Sequence, residues 1–233
     1  MGKNKLERWA EMERIGFVVQ PSFEDVYQKD YSLKGQWSKV FFQNSHAIVL
    51  ELGCGKGEYT VGLAKRFPEM NFIGIDIKGA RMWKGAVTAR KEGLKNVGFL
   101  RSQIELLASF FDENEISGIW LTFPDPQPKR RWEKKRLTHP KFIEVYRKIL
   151  DPDGYIHLKT DNIGLFDYTM EVISQNNFPV DFYTKDLYRE QKEDPVFEIR
   201  TYYEKQFLEE GRDICYLRFK PTGDKPIINP LYV

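Results

Sequence analysis

At 233 residues the chain is long enough for one sizeable hydrophobic core and short for two full domains. It is 41% hydrophobic, 30% charged and 15% aromatic, with a net charge of +2, the composition of a globular protein in which no stretch approaches the ~18 consecutive apolar residues of a membrane span. Two cysteines, Cys54 and Cys215, exclude a disulfide framework and a zinc knuckle and fit a reducing, cytoplasmic setting.

The charged start, Met1 to Arg8, has no apolar run behind it and predicts no signal peptide. Leu6 breaks the myristoylation pattern. Residues 1–45 read as an irregular N-terminal extension rich in aromatics, with a short helix from Lys5 to Arg14. From His46 the pattern becomes regular, and 46–233 reads as one domain. Ala47 to Leu52 is an apolar run ending at Gly53, the mark of a buried strand. A helix over 57–67 stops at Pro68, Asn71 to Asp76 is a second strand, Ala80 to Gly93 is helical, and Val97 to Leu100 is a third strand. A helix near Ile104 to Phe111 leads to a fourth strand, Gly118 to Phe123. A proline-rich basic loop follows, then a helix from Pro140 to Leu150, a turn at Asp151 to Gly154, and a fifth strand from Tyr155 to Lys159. A helix from Gly164 to Asn176 precedes two strand-like pieces, Val180 to Thr184 and Ile214 to Lys220, around a charged connection.

Alternating strands and helices predict right-handed βαβ units: an α/β fold with a mostly parallel sheet covered by helices on both faces. Ligands of such sheets sit outside the carboxyl ends of the strands, so the loops after the first, second and fourth strands are where chemistry belongs.

Glu51-Leu-Gly53-Cys-Gly55-Lys-Gly57 lies between a strand and a helix. Glycines at this spacing allow a tight turn and let a ligand press on the backbone. The spacing is not the dinucleotide fingerprint, because position 58 is Glu, and Glu51 would repel a pyrophosphate. Both features disfavour a nicotinamide-dependent dehydrogenase. An acid there suits a cationic ligand, as the amine and sulfonium of S-adenosylmethionine are. Asp76 ends the second strand, where an acid accepts hydrogen bonds from ribose hydroxyls. The alternative is an ordinary turn with Asp76 capping the next helix, a reading that the two acids in this strand context disfavour.

After the fourth strand comes Phe123-Pro-Asp125-Pro-Gln127-Pro128-Lys129, and the segment from Lys129 to Arg136 holds six basic residues and one acid in eight. Three prolines in five residues fix the backbone that presents Asp125. This run resembles the hallmark of the bacterial tRNA (guanine-N7)-methyltransferase family. The match covers Phe123, Pro124, Asp125, Pro126, Pro128, Lys129 and Arg131, and again Lys135 to Leu137. Lys5-Leu6, Phe17 to Pro21, Leu158 to Asp161 and Thr201 to Glu204 resemble further segments of the same family.

The resemblance implies a Rossmann-like class I methyltransferase with a seven-stranded, mostly parallel sheet. The implied reaction is transfer of a methyl group from S-adenosylmethionine to guanine N7 at position 46, in the variable loop of tRNA. Glu51, Gly53, Gly55, Gly57, Asp76, Gln103 and Asp125 are then expected to line the cofactor pocket, with Asp125 nearest the chemistry. Lys129, Arg131, Asp161, Thr201, Tyr202, Tyr203 and Glu204 are expected to meet the RNA. Gln127 stands for the family's usual Trp, Trp132 for its His, Gln103 for Asp or Asn, and Asp76 for its frequent Glu.

Guanine N7 has an in-plane lone pair and no proton, so the expected task of Asp125 is positioning and electrostatic support, not proton abstraction. The cations from Lys129 to Arg136 are expected to hold phosphates. Trp132 either stacks on a base or packs on the helix behind it. Asp161 with Asn162 either meets substrate or caps a helix. His46, His139 and His157 stand apart and give no metal site. Two rival readings remain: a small-molecule methyltransferase, disfavoured by the flanking cations, and a non-catalytic RNA-binding protein on the same fold, disfavoured by intact Glu51, glycines and Asp125. No motif selects between monomer and homodimer.

Overall fold

The computed structural model describes residues 4–190 and 195–230; residues 1–3 of the expected extension lie outside them. One sheet organises the chain. Its strands are β1 (Val18–Val19), β2 (Ile48–Leu52), β3 (Asn71–Ile75), β4 (Val97–Leu100), β5 (Ile116–Thr122), β6 (Leu150–Thr160), β7 (Val180–Thr184) and β8 (Cys215–Phe219), in the order β1-β4-β3-β2-β5-β6-β8-β7. All neighbours are parallel except β8, which runs antiparallel to both β6 and β7. Seven strands are therefore corrected to eight: β1 adds to the outer edge of β4, pairing Val18 with Phe99. A two-residue strand has no periodicity to announce it.

Period-two alternation sorts the strand side chains to two faces. Leu50, Leu52, Ile73, Ile75, Ile119, Leu121, Ile156 and Leu158 pack under α4 (Leu107–Phe110), α5 (Pro140–Ile149) and α6 (Ile163–Gln175). Val49, Phe72, Trp120 and Tyr216 face α1 (Lys5–Glu13), α2 (Glu58–Arg66) and α3 (Gly79–Glu92), with Met12, Tyr59, Leu63 and Met82 opposite. The last helix, α7 (Tyr202–Glu209), sends Phe207 and Leu208 to this second face.

Local signals set the helix ends. Asn4 and Glu7 form a reciprocal capping box at the start of α1. Pro140 opens α5 behind His139, whose Nδ1 accepts from Lys141 N–H. Asn162 caps α6 by accepting from Leu165 N–H at 2.8 Å, so in the Asp161-Asn162 pair it is Asn162 that caps the helix. Residues 151–154, expected as a turn, are absorbed into β6 as a bulge, because register passes from Ile116–Leu150 directly to Gly118–Tyr155.

The N-terminal segment is more regular than its sequence suggested. After α1 and β1 it forms a π-helical turn at Trp37–Phe42, and Trp37, fully buried, donates from Nε1 to Phe110 O at 2.8 Å. Trp37 stacks on Phe111 at 5.3 Å, so this aromatic packs. Phe23 and Tyr27 stack on one another at 4.8 Å and remain half exposed.

Candidate active site

The chain passes from β2 outward to β3 and β4, then returns to β5 on the other side of β2. That reversal opens a crevice at the carboxyl ends of β2 and β5. The glycine loop fills one wall. Gly53, Gly55 and Gly57 have φ of +77°, +54° and +67°, the left-handed region that side chains resist. Ile75 O accepts from Gly53 N–H and Cys54 N–H, and Gly57 N–H closes the turn on Cys54 O at 2.7 Å. Behind the loop packing is tight: a Cβ on Gly57 would stand 2.6 Å from Phe99 Cε1. In front it is open, and a Cβ on Gly55 would meet nothing nearer than Gly53 O at 4.0 Å. That open shelf of backbone fits a ligand lying against the loop. Asp76 braces it, with Oδ2 accepting from Gly55 N–H at 2.9 Å and Oδ1 from Lys78 N–H at 2.7 Å. Each oxygen keeps a lone pair free to accept a hydroxyl. Cys54 is buried, which pushes its thiol well up and leaves it inert.

A row of polar side chains crosses the second face of the sheet near its carboxyl end. Strand register sets Glu51 beside Trp120 and Trp120 beside His157, with Thr122 beside Lys159 one step further on. Glu51 is 3% exposed. Its Oε2 accepts from Thr60 N–H at 2.8 Å and from the Thr60 hydroxyl, and its Oε1 accepts from Thr122 Oγ1. Burial raises this carboxyl to about 7, against the opposing pull of those donors. His157 stacks on Trp120 at 4.1 Å, and burial drives its imidazole down to about 3, so it is neutral and structural. Among the described residues no three His, Cys, Asp or Glu side chains gather to hold a metal, and no helix is long and apolar enough to cross a membrane.

The proline loop forms the facing wall. Phe123 and Gln127 both take left-handed φ, +49° and +47°, a strained path at a cleft. Asp125, between them in sequence, is exposed, as are Lys129 and Arg131. The two walls meet where Leu137 Cδ1 comes within 3.8 Å of a Cβ built on Gly53. Trp132 has Lys129 Nζ 4.9 Å and the Arg131 guanidinium 5.0 Å from its ring. Arg136, expected among the phosphate contacts, is instead buried. Its guanidinium donates to Pro126 O and Gln127 O and lies 4.3 Å from the Tyr168 ring, so it holds the proline loop from behind.

Beyond β6, Asp161 Oδ2 receives Arg212 Nη1 at 2.8 Å. Gln103, past the end of β4, is exposed; its carbonyl accepts from Leu106 N–H at 3.1 Å, while its side chain makes no capping bond to the short helical turn it precedes. Thr201 and Glu204 form a capping box at the start of α7, with Tyr202 and Tyr203 half exposed and Glu204 fully buried.

A family model described as a putative methyltransferase matches residues 45–217. The tRNA (guanine-N(7)-)-methyltransferase of Bacteroides thetaiotaomicron is 51% identical over 94% of this chain and 86% of its own length. That of Christiangramia forsetii is 51% identical over 94% and 98%, and that of Porphyromonas gingivalis 53% over 89% and 86%. The chain belongs to the tRNA (guanine-N(7)-)-methyltransferase family. Its fold is that of solved methyltransferases. The 16S rRNA methyltransferase KamB superposes with a TM-score of 0.60 at 14% identity, covering 85% of this chain and 93% of that one. The 16S rRNA (adenine(1408)-N(1))-methyltransferase of Catenulisporales acidiphilia gives 0.58 at 16%, covering 82% and 94%.

Of the residues that resemblance to this family singled out, the crevice gathers the three glycines, Asp76 and Asp125, with Lys129 and Arg131 beyond Asp125 on the proline wall. It does not expose Glu51 or Glu204, whose carboxylates are enclosed. Lys159 and Arg136 are the side chains the sequence reading passed over as internal supports. A signal for α7 was present, since Thr-x-x-Glu is a capping box whether or not it also touches a ligand.

Proposed function

We propose that the chain methylates N7 of guanine at position 46 in the variable loop of tRNA, with S-adenosylmethionine as donor. The observation that carries this is the juxtaposition at the switch point, in a member of this family, of an open glycine shelf braced by Asp76 and a proline-rich loop carrying Asp125 and the exposed Lys129 and Arg131. When bound, S-adenosylmethionine supplies an electrophilic methyl group. Gly53, Gly55 and Gly57 hold it through backbone, Asp76 through its ribose hydroxyls, and Gln103 through the adenine edge. Glu51 offers its negative charge to the amine from beneath the loop.

The protein's own task is alignment. Guanine N7 bears no proton, so no side chain has to remove one, and the methylated ring is cationic. Asp125 accepts from guanine N1–H and the exocyclic amine and offsets that developing charge. Lys129 and Arg131 take phosphates, with Asp161, Tyr202 and Tyr203 along the same rim. Residues 46–233 then form the methyltransferase domain and 1–45 its N-terminal extension, from which Val18–Val19 joins the sheet; a tRNA substrate is consistent with work in the cytoplasm.

The test is transfer of label from radioactive S-adenosylmethionine into unmodified bulk tRNA, followed by nucleoside analysis. Labelled 7-methylguanosine that disappears when the variable-loop guanine is replaced supports the proposal. Cofactor binding without labelled tRNA overturns the substrate and leaves a small-molecule methyltransferase.

A further inference from the structure

Lys159, in β6, and Glu204, in α7, are both fully enclosed, and Lys159 Nζ lies 2.7 Å from Glu204 Oε1. Tyr188 OH donates to the same oxygen at 2.5 Å, and Thr201 N–H donates to Oε2 at 3.3 Å. Lys159 also donates to Ile199 O at 3.3 Å. Burial draws the Lys159 ammonium down, and the carboxylate beside it pulls it back up. Both Glu204 oxygens are thus occupied inside the protein, and a residue so enclosed has no face for a base.

The pair does something else by geometry. Successive helix positions turn by about 100°, so seating Glu204 inward at the third position of α7 turns the first and second outward. Those are Tyr202 and Tyr203, each 48% exposed. Lys56 of the glycine loop sits over them, 4.0 Å from the Tyr202 ring and 5.3 Å from that of Tyr203. Tyr202 N–H donates to Glu58 Oε2 at 2.8 Å, fixing the same turn to the start of α2. The two segments that resemble the family, 158–161 and 201–204, each contribute one half of the buried pair.

We propose that Glu204 is a positioning residue for the methyl-transfer reaction: paired with Lys159, it seats α7 so that Tyr202 and Tyr203 stand beside the glycine loop as part of the RNA-facing rim, and it does not touch the guanine. This rests on the tRNA reading above for its substrate, but not for its geometry.

The experiment uses the full chain with Lys159→Met, Glu204→Gln and the double substitution. For each, kcat and KM for tRNA are measured, together with amide exchange of residues 202–209 in the free protein. Each single variant should raise KM for tRNA by about tenfold or more with kcat changed less than about threefold, and should speed exchange in α7. The double variant should recover much of both losses, because no charge is left unpaired. A Glu204→Gln protein with normal exchange, lowered kcat and no recovery in the double variant would place the carboxylate at the guanine and overturn the proposal. Should the single variants not fold, Tyr188→Phe removes one donor to Glu204 without stranding a charge; it should raise KM roughly threefold with faster exchange. If it changes neither, the proposal also falls. Failure of the unsubstituted chain to label tRNA sinks the reading of function, while exchange still decides whether the pair seats α7.

Discussion

Glu51, in β2, accepts a hydrogen bond from Thr122, the last residue of β5. The bond ties together the two strands whose following loops form opposite walls of the crevice. Its carboxyl, raised by burial from the usual 4.5 to about 7, favours the protonated form in the folded chain. Taken alone, that contribution to stability is complete below 4.5 and is lost as pH rises through about 7. A cation seated above it acts in the other direction and expels the proton. Binding of S-adenosylmethionine at pH 7 should release about half a proton and tighten between pH 6 and 8. Calorimetric titration in two buffers of different ionisation enthalpy reads this directly. A heat independent of buffer, or a release that persists in Glu51→Gln, would remove Glu51 from cofactor binding.

Asp125→Asn keeps the size and polarity of the side chain and removes its charge. Single-turnover methylation should slow by ~100-fold, with the affinities for tRNA and cofactor nearly unchanged. Near-normal turnover would mean that the negative charge is unnecessary and that the loop acts by shape alone.

Two kinds of cation in one basic run should behave differently. Lys129→Ala or Arg131→Ala each removes an exposed charge and should lower the slope of log affinity against log salt by about 1. Arg136→Ala removes a guanidinium held by Pro126 O and Gln127 O. It should leave that slope unchanged, lower kcat and destabilise the fold by about 1–3 kcal/mol. Binding of tRNA measured over a salt series separates the two, and equal slopes for all three variants would contradict the assignment.

Gly57→Ala adds a methyl group 2.6 Å from Phe99 Cε1 at a φ of +67°. The expected loss is about 1–3 kcal/mol from backbone strain, before the clash is counted. Thermal unfolding with and without cofactor checks both parts: a variant with unaltered melting and binding would show that the loop tolerates a side chain there.

Much of the fold was legible because it is local. Each strand from β2 to β5 carries its own apolar run, each helix its own stop, and the glycine loop its own spacing. What escaped was decided at long range. Val18 and Val19 become a strand only because β4 offers an unpaired edge. Lys159 and Glu204 look like solvent residues in sequence, and only β6 meeting α7 makes them internal. Arg136 reads as one more cation until Tyr168 and the carbonyls of Pro126 and Gln127 enclose it. Asp125, Lys129 and Arg131 were easier to place, because exposed residues flanked by prolines take their setting from neighbours in the chain.

The partners of the N-terminal segment lie far downstream. Val18 pairs with Phe99, and Trp37 bonds to Phe110 O. During synthesis this segment leaves the ribosome before those partners do, and its seat does not exist until residue 111 has emerged. Until then its aromatic side chains are uncovered, a period in which a nascent chain is open to chaperones and to misassembly. Slowing translation between residues 45 and 110 should therefore lower the yield of soluble protein more than the same delay placed after residue 120.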